Sequence, residues 1–474
     1  MKRREFLKTS VFGAGLLIGG RNNIFGYFVP QQGRTPRYPI PVAYNNPSIQ
    51  HHEDRCRFCG QCVGFCRRTT AVYEQVVPQG EDPCIRCGQC TLFCENIITE
   101  QYHYQEVAKA IADPDKIVIA TLAPAVRVSL GEMYEIPPGP NAEPEIIGAL
   151  KQMGVAHVLD ATFSADLTVV EEATELIQRL ESGQSGRAMF TSCCPAWVRY
   201  VNLFYPALKS NLSTTKSPLL MQGALVKTYF AQKQGIDPKK IVHVALMPCT
   251  AKKGEILLEG MNVAGISHGK PEIRDVDFAL TCRELALLFN EGKVDFLKAQ
   301  GAPYSPLMGR GSGAAMIFGN TGGVMEATLR TAYKLVTNQN PPADFFELRP
   351  VRGLDGIRQA KVDIGKFTLN VAVVHGIIHA KSLIEAIQDN TQKFDFIEVM
   401  ACTGGCIGGG GQPYVAQEEA AKIIQQRINA LYRQDIQHQI RLSCDNPQIK
   451  QIYNEFLGKP LSEKSKELLH VRKI

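Results

Sequence analysis

Short apolar runs alternate with helical stretches along most of this chain, starting near residue 116. Residues 116–120 (KIVIA) have the length and β-branched content of a buried strand. Further strands are predicted at 156–159, at 241–247 (IVHVALM), at 371–374 and at 394–400 (FDFIEVM). Apolar positions at helical spacing predict an amphipathic helix over 167–180 and a second helix over 381–387. Strands alternating with helices define an α/β class with mostly parallel strands. From residue 416 the pattern is helical, in three stretches (EEAAKIIQQRINALY, NPQIKQIYNEFL and SEKSKELLH). These helices are expected to wrap the outside of the α/β unit.

Before residue 116 the pattern changes. Residues 22–50 are rich in proline, glycine and asparagine and read as a linker or extended arm. The first twenty residues read MKRREFLKTSVFGAGLLIGG. Arg3 and Arg4 form a twin-arginine pair, with Phe6, Leu7 and Lys8 in the places expected after it. The apolar run 11–18 is short for a bilayer span and fits a signal h-region. A twin-arginine address serves export of folded proteins, which suits a chain that must acquire metal before it leaves the cytoplasm. The alternative is a basic terminus arising by chance. No A-x-A site precedes Arg21, so cleavage and retention as an anchor both stay open. The expected organisation is a signal segment over 1–30, an arm over 31–50, a cysteine-rich unit over 51–112, the α/β unit over 113–430 and a helical tail over 431–474.

The chain has 474 residues, enough for two or three domains. Its 52 basic and 46 acidic residues leave a formal charge of only +6. With no basic stripe interleaved with aromatics, this excludes a nucleic-acid partner. The fifteen cysteines change the picture most. Their odd total argues against a complete disulfide framework, and their spacings are those of metal ligands. Cys282 and Cys444 stand apart and read as ordinary buried thiols.

Cys56, Cys59, Cys62 and Cys66 follow the spacing C-x2-C-x2-C-x3-C, and Cys84, Cys87, Cys90 and Cys94 repeat it. This is the run of bacterial two-cluster ferredoxins, in which the fourth cysteine of each run serves the other cluster. Cys56, Cys59, Cys62 and Cys94 are therefore expected to hold one 4Fe–4S cluster, and Cys66, Cys84, Cys87 and Cys90 the other. Zinc is the alternative, but zinc sites favour two separated pairs of ligands. Arg67 and Glu95 follow the fourth cysteines, where proline is usual. His51 and His52, nearby, read as surface or loop histidines because eight thiols already fill two cubanes.

Five more cysteines fall in three late motifs: TSCCPAW (191–197), MPCTAKK (247–253) and ACTGGCIGGGGQP (401–413). Each follows an apolar run, so three strand ends can deliver thiols to one site. A cubane takes four thiolates, which leaves one thiol over. Together the motifs resemble the catalytic domain of iron-only (FeFe) hydrogenases, over nearly everything after Asp115. The resemblance implies a two-lobed α/β catalytic domain behind a small α+β ferredoxin-like domain. It implies an H-cluster: a cubane joined through one cysteine sulfur to a two-iron unit that carries carbon monoxide, cyanide and an amine-bearing dithiolate. Cys194, Cys249, Cys402 and Cys406 would hold the cubane, with Cys406 bridging to the two-iron unit. Cys193 would be the fifth thiol, passing protons to and from the bridging amine. An unperturbed thiol titrates near ~8.5, close enough to neutrality for that work. Lys252 would lie against a cyanide, and Glu255 completes the family's pattern around it. Met247 and Pro124 would line the pocket, with the stretch 318–327 (FGNTGGVMEA) as a further wall. The glycines of the third motif would let backbone approach the cofactor. One departure is Leu219, where the family usually has glutamine after TKSP; this expects the loss of a polar neighbour of the two-iron unit.

Glu172, Glu175 and Arg179 share one face of the helix predicted over 167–180. Taken alone, Glu175 and Arg179 are an ordinary i,i+4 pair worth ~0.3 kcal/mol. The resemblance implies more: a proton route from Cys193 through Glu172, Ser213, Glu175 and Arg179 to solvent. The implied activity is reversible oxidation of H2 to protons and electrons, with the electrons leaving through the two 4Fe–4S clusters. Export would put cytoplasmic carriers out of reach. The expectation is therefore hydrogen uptake at a periplasmic or otherwise extracytoplasmic site, with an extracytoplasmic cytochrome or a membrane partner as carrier. Maturation proteins would build the two-iron unit. The tail resembles the small subunit of two-chain periplasmic hydrogenases, fused here. The alternatives are a non-catalytic iron–sulfur assembly factor and a hydrogen sensor of the same fold.

Overall fold

The computed structural model describes residues 42–72, 82–94, 96–354 and 356–471. The twin-arginine segment and the arm before Val42 lie outside them. Among the described residues, no helix is long and apolar enough to cross a membrane.

Strands β1 (Ile49–His51) and β2 (Ile98–Glu100) pair antiparallel and bracket the two cysteine runs. Then follow β3 (Ile117–Leu122), β4 (His157–Asp160), β5 (Met189–Phe190), β6 (Ile241–Leu246), β7 (Phe278–Leu280), β8 (Ile357–Ile364), β9 (Phe367–His375) and β10 (Phe396–Met400). One sheet has the order β4-β3-β6-β7 and is parallel throughout. The other has the order β5-β10-β9-β8, parallel except for the β8–β9 hairpin. These two sheets are the cores of two lobes, as the resemblance implies. Strands β3, β6 and β10 and the second half of β9 are buried almost throughout, as strands rich in apolar residues inside a parallel sheet are.

Two elements differ from the sequence pattern. The helix predicted over 167–180 runs over Ala161–Glu181 and is buried from Ala161 through Ala173. Its first turns are rich in small and polar residues, and most of those groups bond internally, the Thr162 hydroxyl excepted. Asp160 caps the helix by accepting from the Thr162 N–H, Ser164 donates to the Ala161 carbonyl, and Asp166 accepts from Ser312. Helical periodicity was diluted because polar residues face the core. Strand β8 (IRQAKVDI) has few apolar positions and sits at a sheet edge, where half of it meets solvent.

The tail is woven in more deeply than an outer wrap. The helix Ala420–Gln437 buries Arg427, which grips Glu132 with two nitrogens at 2.7 Å each and donates to the Ile407 carbonyl at 2.8 Å. Further along, Tyr453 and Ser465 donate to the buried carboxylate of Glu171, in the middle of helix Ala161–Glu181.

Candidate active site

Each late cysteine motif follows the carboxyl end of a strand. Cys193 and Cys194 follow β5, Cys249 follows β6, and Cys402 follows β10. Since β6 belongs to one sheet and β5 and β10 to the other, the thiols meet between the lobes. Their mutual electrostatic influence shows the grouping. Cys406 feels Cys249 and Cys194, Cys402 feels Cys249, Cys194 and Cys406, and Cys193 feels Cys194 and Cys406. Cys193, Cys194, Cys249 and Cys406 keep accessible surface even though protein surrounds them on all sides, as side chains lining an internal void do. Burial, and then neighbouring thiols, push Cys249 up to about 11 and Cys406 up to about 12. Metal binding is what holds such groups as thiolates. Soft sulfur donors around a buried void fit an iron–sulfur cubane.

The third motif turns on two glycines. Gly404 and Gly405 have φ of +83° and +89°, and a Cβ on Gly405 would sit 2.5 Å from the Thr321 backbone nitrogen. Thr321 in turn donates its N–H to the Gly404 carbonyl. The FGNTGG stretch is thereby fixed as a wall, and Glu398 on β10 clamps it by accepting the N–H groups of Gly322 and Met325, both at 2.7 Å. Burial raises the Glu398 carboxyl to about 7.

The remaining glycines serve another close approach. A Cβ on Gly410 would fall 2.3 Å from the Cys87 carbonyl oxygen, and one on Gly409 would fall 2.3 Å from that of Pro248. The glycine run therefore lets the third motif press directly on the second cysteine run. Two of the late motifs, and the helix that follows the first, grip that run. Arg199 donates to the Cys84 carbonyl at 2.8 Å, Thr250 to the Arg86 carbonyl at 2.8 Å, and Gly408 and Gly410 accept from Gln89 and Thr91. Arg283 locks the joint, donating to Glu100, Thr91, Gly410 and Gln412. Cys87 lies within electrostatic reach of both Cys249 and Cys402.

The amino-terminal thiols fall into two groups. Cys62 feels Cys94, Cys56 and Cys59, whereas Cys87 feels Cys66 and Cys84, and Cys90 feels Cys84, Cys87 and Cys66. Cys62, Cys66, Cys84, Cys87 and Cys90 line one apolar pocket with Val42, Val72 and Ile85. Cys59 is exposed. A line of thiol sites thus runs from the surface at Cys59, past Cys87, to the void between the lobes. His52 is hydrogen-bonded to Thr99, and Cys282 is buried against Gln412.

Around the void, Lys252 pairs with Glu255 at 2.8 Å and donates to the Cys193 carbonyl at 3.1 Å. Pro124 opens a short helix straight after β3 and is buried. Met247 and Leu219 share one hydrophobic core. One turn beyond Leu219, Gln222 is buried with both amide atoms unpaired.

The candidate proton groups also assemble. Glu172 is the strongest charged neighbour of the Cys193 thiol, and neither of its carboxyl oxygens has a hydrogen-bond partner. Ser213 is near Glu172, but its hydroxyl donates to Glu175 at 3.0 Å. Arg179 donates to the other oxygen of Glu175 at 2.6 Å, and both line a surface cleft. Thr214 was not singled out from sequence, yet it donates to Glu175 through both its N–H and its hydroxyl. Burial, then the charge of Glu175, raises the Glu172 carboxyl from 4.5 to about 8. The folded protein therefore holds a proton that the unfolded chain releases between those values. This contribution to stability is full below pH 4.5, falls as pH rises, and is gone above about 8. Glu172→Gln is expected to flatten that slope, and melting temperatures across this pH range check it; an unchanged slope counts against the assignment.

Two cysteine runs leading to a buried thiol group, with a row of ionisable side chains beside it, have the chemistry of an iron–sulfur redox protein. The sequence profile of the iron only hydrogenase large subunit, C-terminal domain, matches residues 116–410, and that of the iron hydrogenase small subunit matches 421–472. The NADP-reducing hydrogenase subunit HndD of Solidesulfovibrio fructosivorans is 40% identical over 88% of this chain, which spans 65% of its length. The periplasmic [Fe] hydrogenase large subunit of Nitratidesulfovibrio vulgaris is 41% identical over 77% of this chain and 86% of its own. The solved apo [FeFe]-hydrogenase of Chlamydomonas reinhardtii superposes with a TM-score of 0.68 at 37% identity, covering 78% of this chain and 98% of that one. The chain belongs to the iron-only hydrogenase family, whose members carry the H-cluster together with accessory 4Fe–4S clusters.

Proposed function

We propose that the protein oxidises H2 reversibly to protons and electrons, working in the uptake direction at an extracytoplasmic site. The observation that carries this is the fifth thiol. Cys193 lies within electrostatic reach of Cys194 and Cys406, and Glu172 is its strongest charged neighbour. Cys194, Cys249, Cys402 and Cys406 would hold the H-cluster, which when bound supplies the redox chemistry of hydrogen. Lys252 would present its ammonium to the cofactor's anionic ligands, and Met247 and Pro124 would shape the dry wall around it. Cys193 would move the proton between the cofactor and Glu172, and Ser213, Glu175 and Arg179 would continue the route to the cleft. Cys66, Cys84, Cys87 and Cys90 would take one accessory cluster, and Cys56, Cys59, Cys62 and Cys94 the other, with the exposed Cys59 nearest an external carrier.

The uptake direction rests on the twin-arginine segment, and the periplasmic relative is consistent with it. The carrier would then be an extracytoplasmic cytochrome or a membrane redox partner, and maturation proteins would supply the two-iron unit. An assembly factor would need neither a fifth thiol nor a proton route. Glu172→Gln keeps the side-chain shape and removes the titration. Turnover in both directions is expected to fall by ~100-fold or more with the cofactor's infrared bands unmoved. Turnover near the parental rate would sink the relay.

A further inference from the structure

The small-subunit-like tail reaches the proton line itself. Its last described residues run alongside residues 214–216. Lys216 donates its N–H to the Leu469 carbonyl, Val471 donates to the Thr214 carbonyl, and Thr215 and His470 form an antiparallel bridge. This register places the buried His470 ring between two acids. Its Nδ1 is 2.8 Å from the Thr214 hydroxyl, and its Nε2 is 3.1 Å from Glu171 Oε2.

The Thr214 hydroxyl has one proton and two acceptors in reach, Glu175 at 3.0 Å and Nδ1 at 2.8 Å. When that proton goes to Glu175, Nδ1 bonds Thr214 only as the donor. Nε2 faces a carboxylate oxygen that already accepts from the Leu461 N–H, while the other oxygen accepts from Tyr453 and Ser465. A hydrogen bond at the Nε2–Glu171 contact places one exchangeable proton there. Glu175, Arg179, Lys466 and His470 line the same surface cleft, whose far wall is the tail.

We propose that the tail completes the proton route. In this role His470 is a positioning residue: it turns the Thr214 hydroxyl toward Glu175, and with Glu171 it holds one proton beside the path. This rests on the relay proposed above. The charged groups around the ring are Glu171, Glu175 through Thr214, Arg179 across the cleft, and Glu463, Lys466 and Glu467 on the tail's own side of it.

The test compares His470→Ala and His470→Gln in the matured, full-length protein. His470→Ala is expected to lose turnover by roughly tenfold, the scale of one hydrogen bond, and to regain it when imidazole is supplied in solution. His470→Gln keeps a donor for Thr214. It is expected to recover most of the rate but lack one ionisation in the pH profile. Melting temperature and infrared bands are expected to stay at parental values in the Gln variant. Ring nitrogen NMR on protein without cofactor is expected to show Nδ1 protonated. A bare Nδ1 overturns the inference. So does a parental pH profile in His470→Gln, or a rate loss in His470→Ala that imidazole does not restore. If Glu172→Gln keeps full turnover, the relay itself fails. If Glu172→Gln is blocked while His470→Gln is unaltered, only the role of the tail fails.

Discussion

Cys193→Ser is expected to lower hydrogen turnover by at least ~100-fold while leaving the iron content of the protein unchanged. The two expectations separate Cys193 from its neighbour. Cys194 opens the helix Pro195–Phe204 and sits with Cys249, Cys402 and Cys406. Cys193 has Glu172 as its strongest charged neighbour. A hydroxyl has nearly the same shape as a thiol, but it gives up its proton far less readily. The proton would then have no acid or base to bridge the cofactor and the Glu172 carboxyl. Iron analysis and turnover on the same sample check both halves. A coincident loss of iron would make Cys193 a ligand and contradict the proposal.

Arg283→Ala is expected to destabilise the protein by about 3–5 kcal/mol and to loosen the joint between the accessory and catalytic units. Arg283 is buried on the helix Cys282–Glu291 and bonds Glu100 with two nitrogens, at 3.0 and 2.8 Å. Removing it strands the Glu100 carboxylate inside the protein. It also frees the Gly410 and Gln412 carbonyls, which Arg283 holds at 2.8 and 2.6 Å. Those carbonyls belong to the loop that presses on Cys87. Denaturant unfolding reads the stability. The rate at which an external dye is reduced under hydrogen reads the electron path. A variant with unchanged stability would mean that this ion pair is not the joint's main fastening.

Much of this was legible in the sequence because thiols and glycines leave strong marks. The cysteine spacings marked two runs of four thiols, and the strand runs before Cys249 and Cys402 placed those two at sheet ends. The glycines of the third motif were legible as a site of close approach, but their partner was not. Sequence pointed them at a cofactor, whereas Gly409 and Gly410 meet the backbone of Pro248 and Cys87. These contacts join residues far apart in the chain, Gly409 with Pro248 and Gly410 with Cys87, and no local pattern encodes them. Glu398 was hidden for a different reason: it shares the apolar strand FDFIEVM with Asp395, and nothing in the spacing marks it out. Thr214 and His470 were missed because a threonine in a loop and a histidine near a terminus carry no spacing signal. Only the folded tail brings them together.

Infrared spectroscopy of the matured protein in the carbonyl and cyanide region, with and without hydrogen gas, tests the central proposal most directly. Bands of both ligands that shift when hydrogen is admitted are the expected result. Protein replete in cubane iron that shows no such bands after exposure to the maturation proteins, and does not respond to hydrogen, would contradict it.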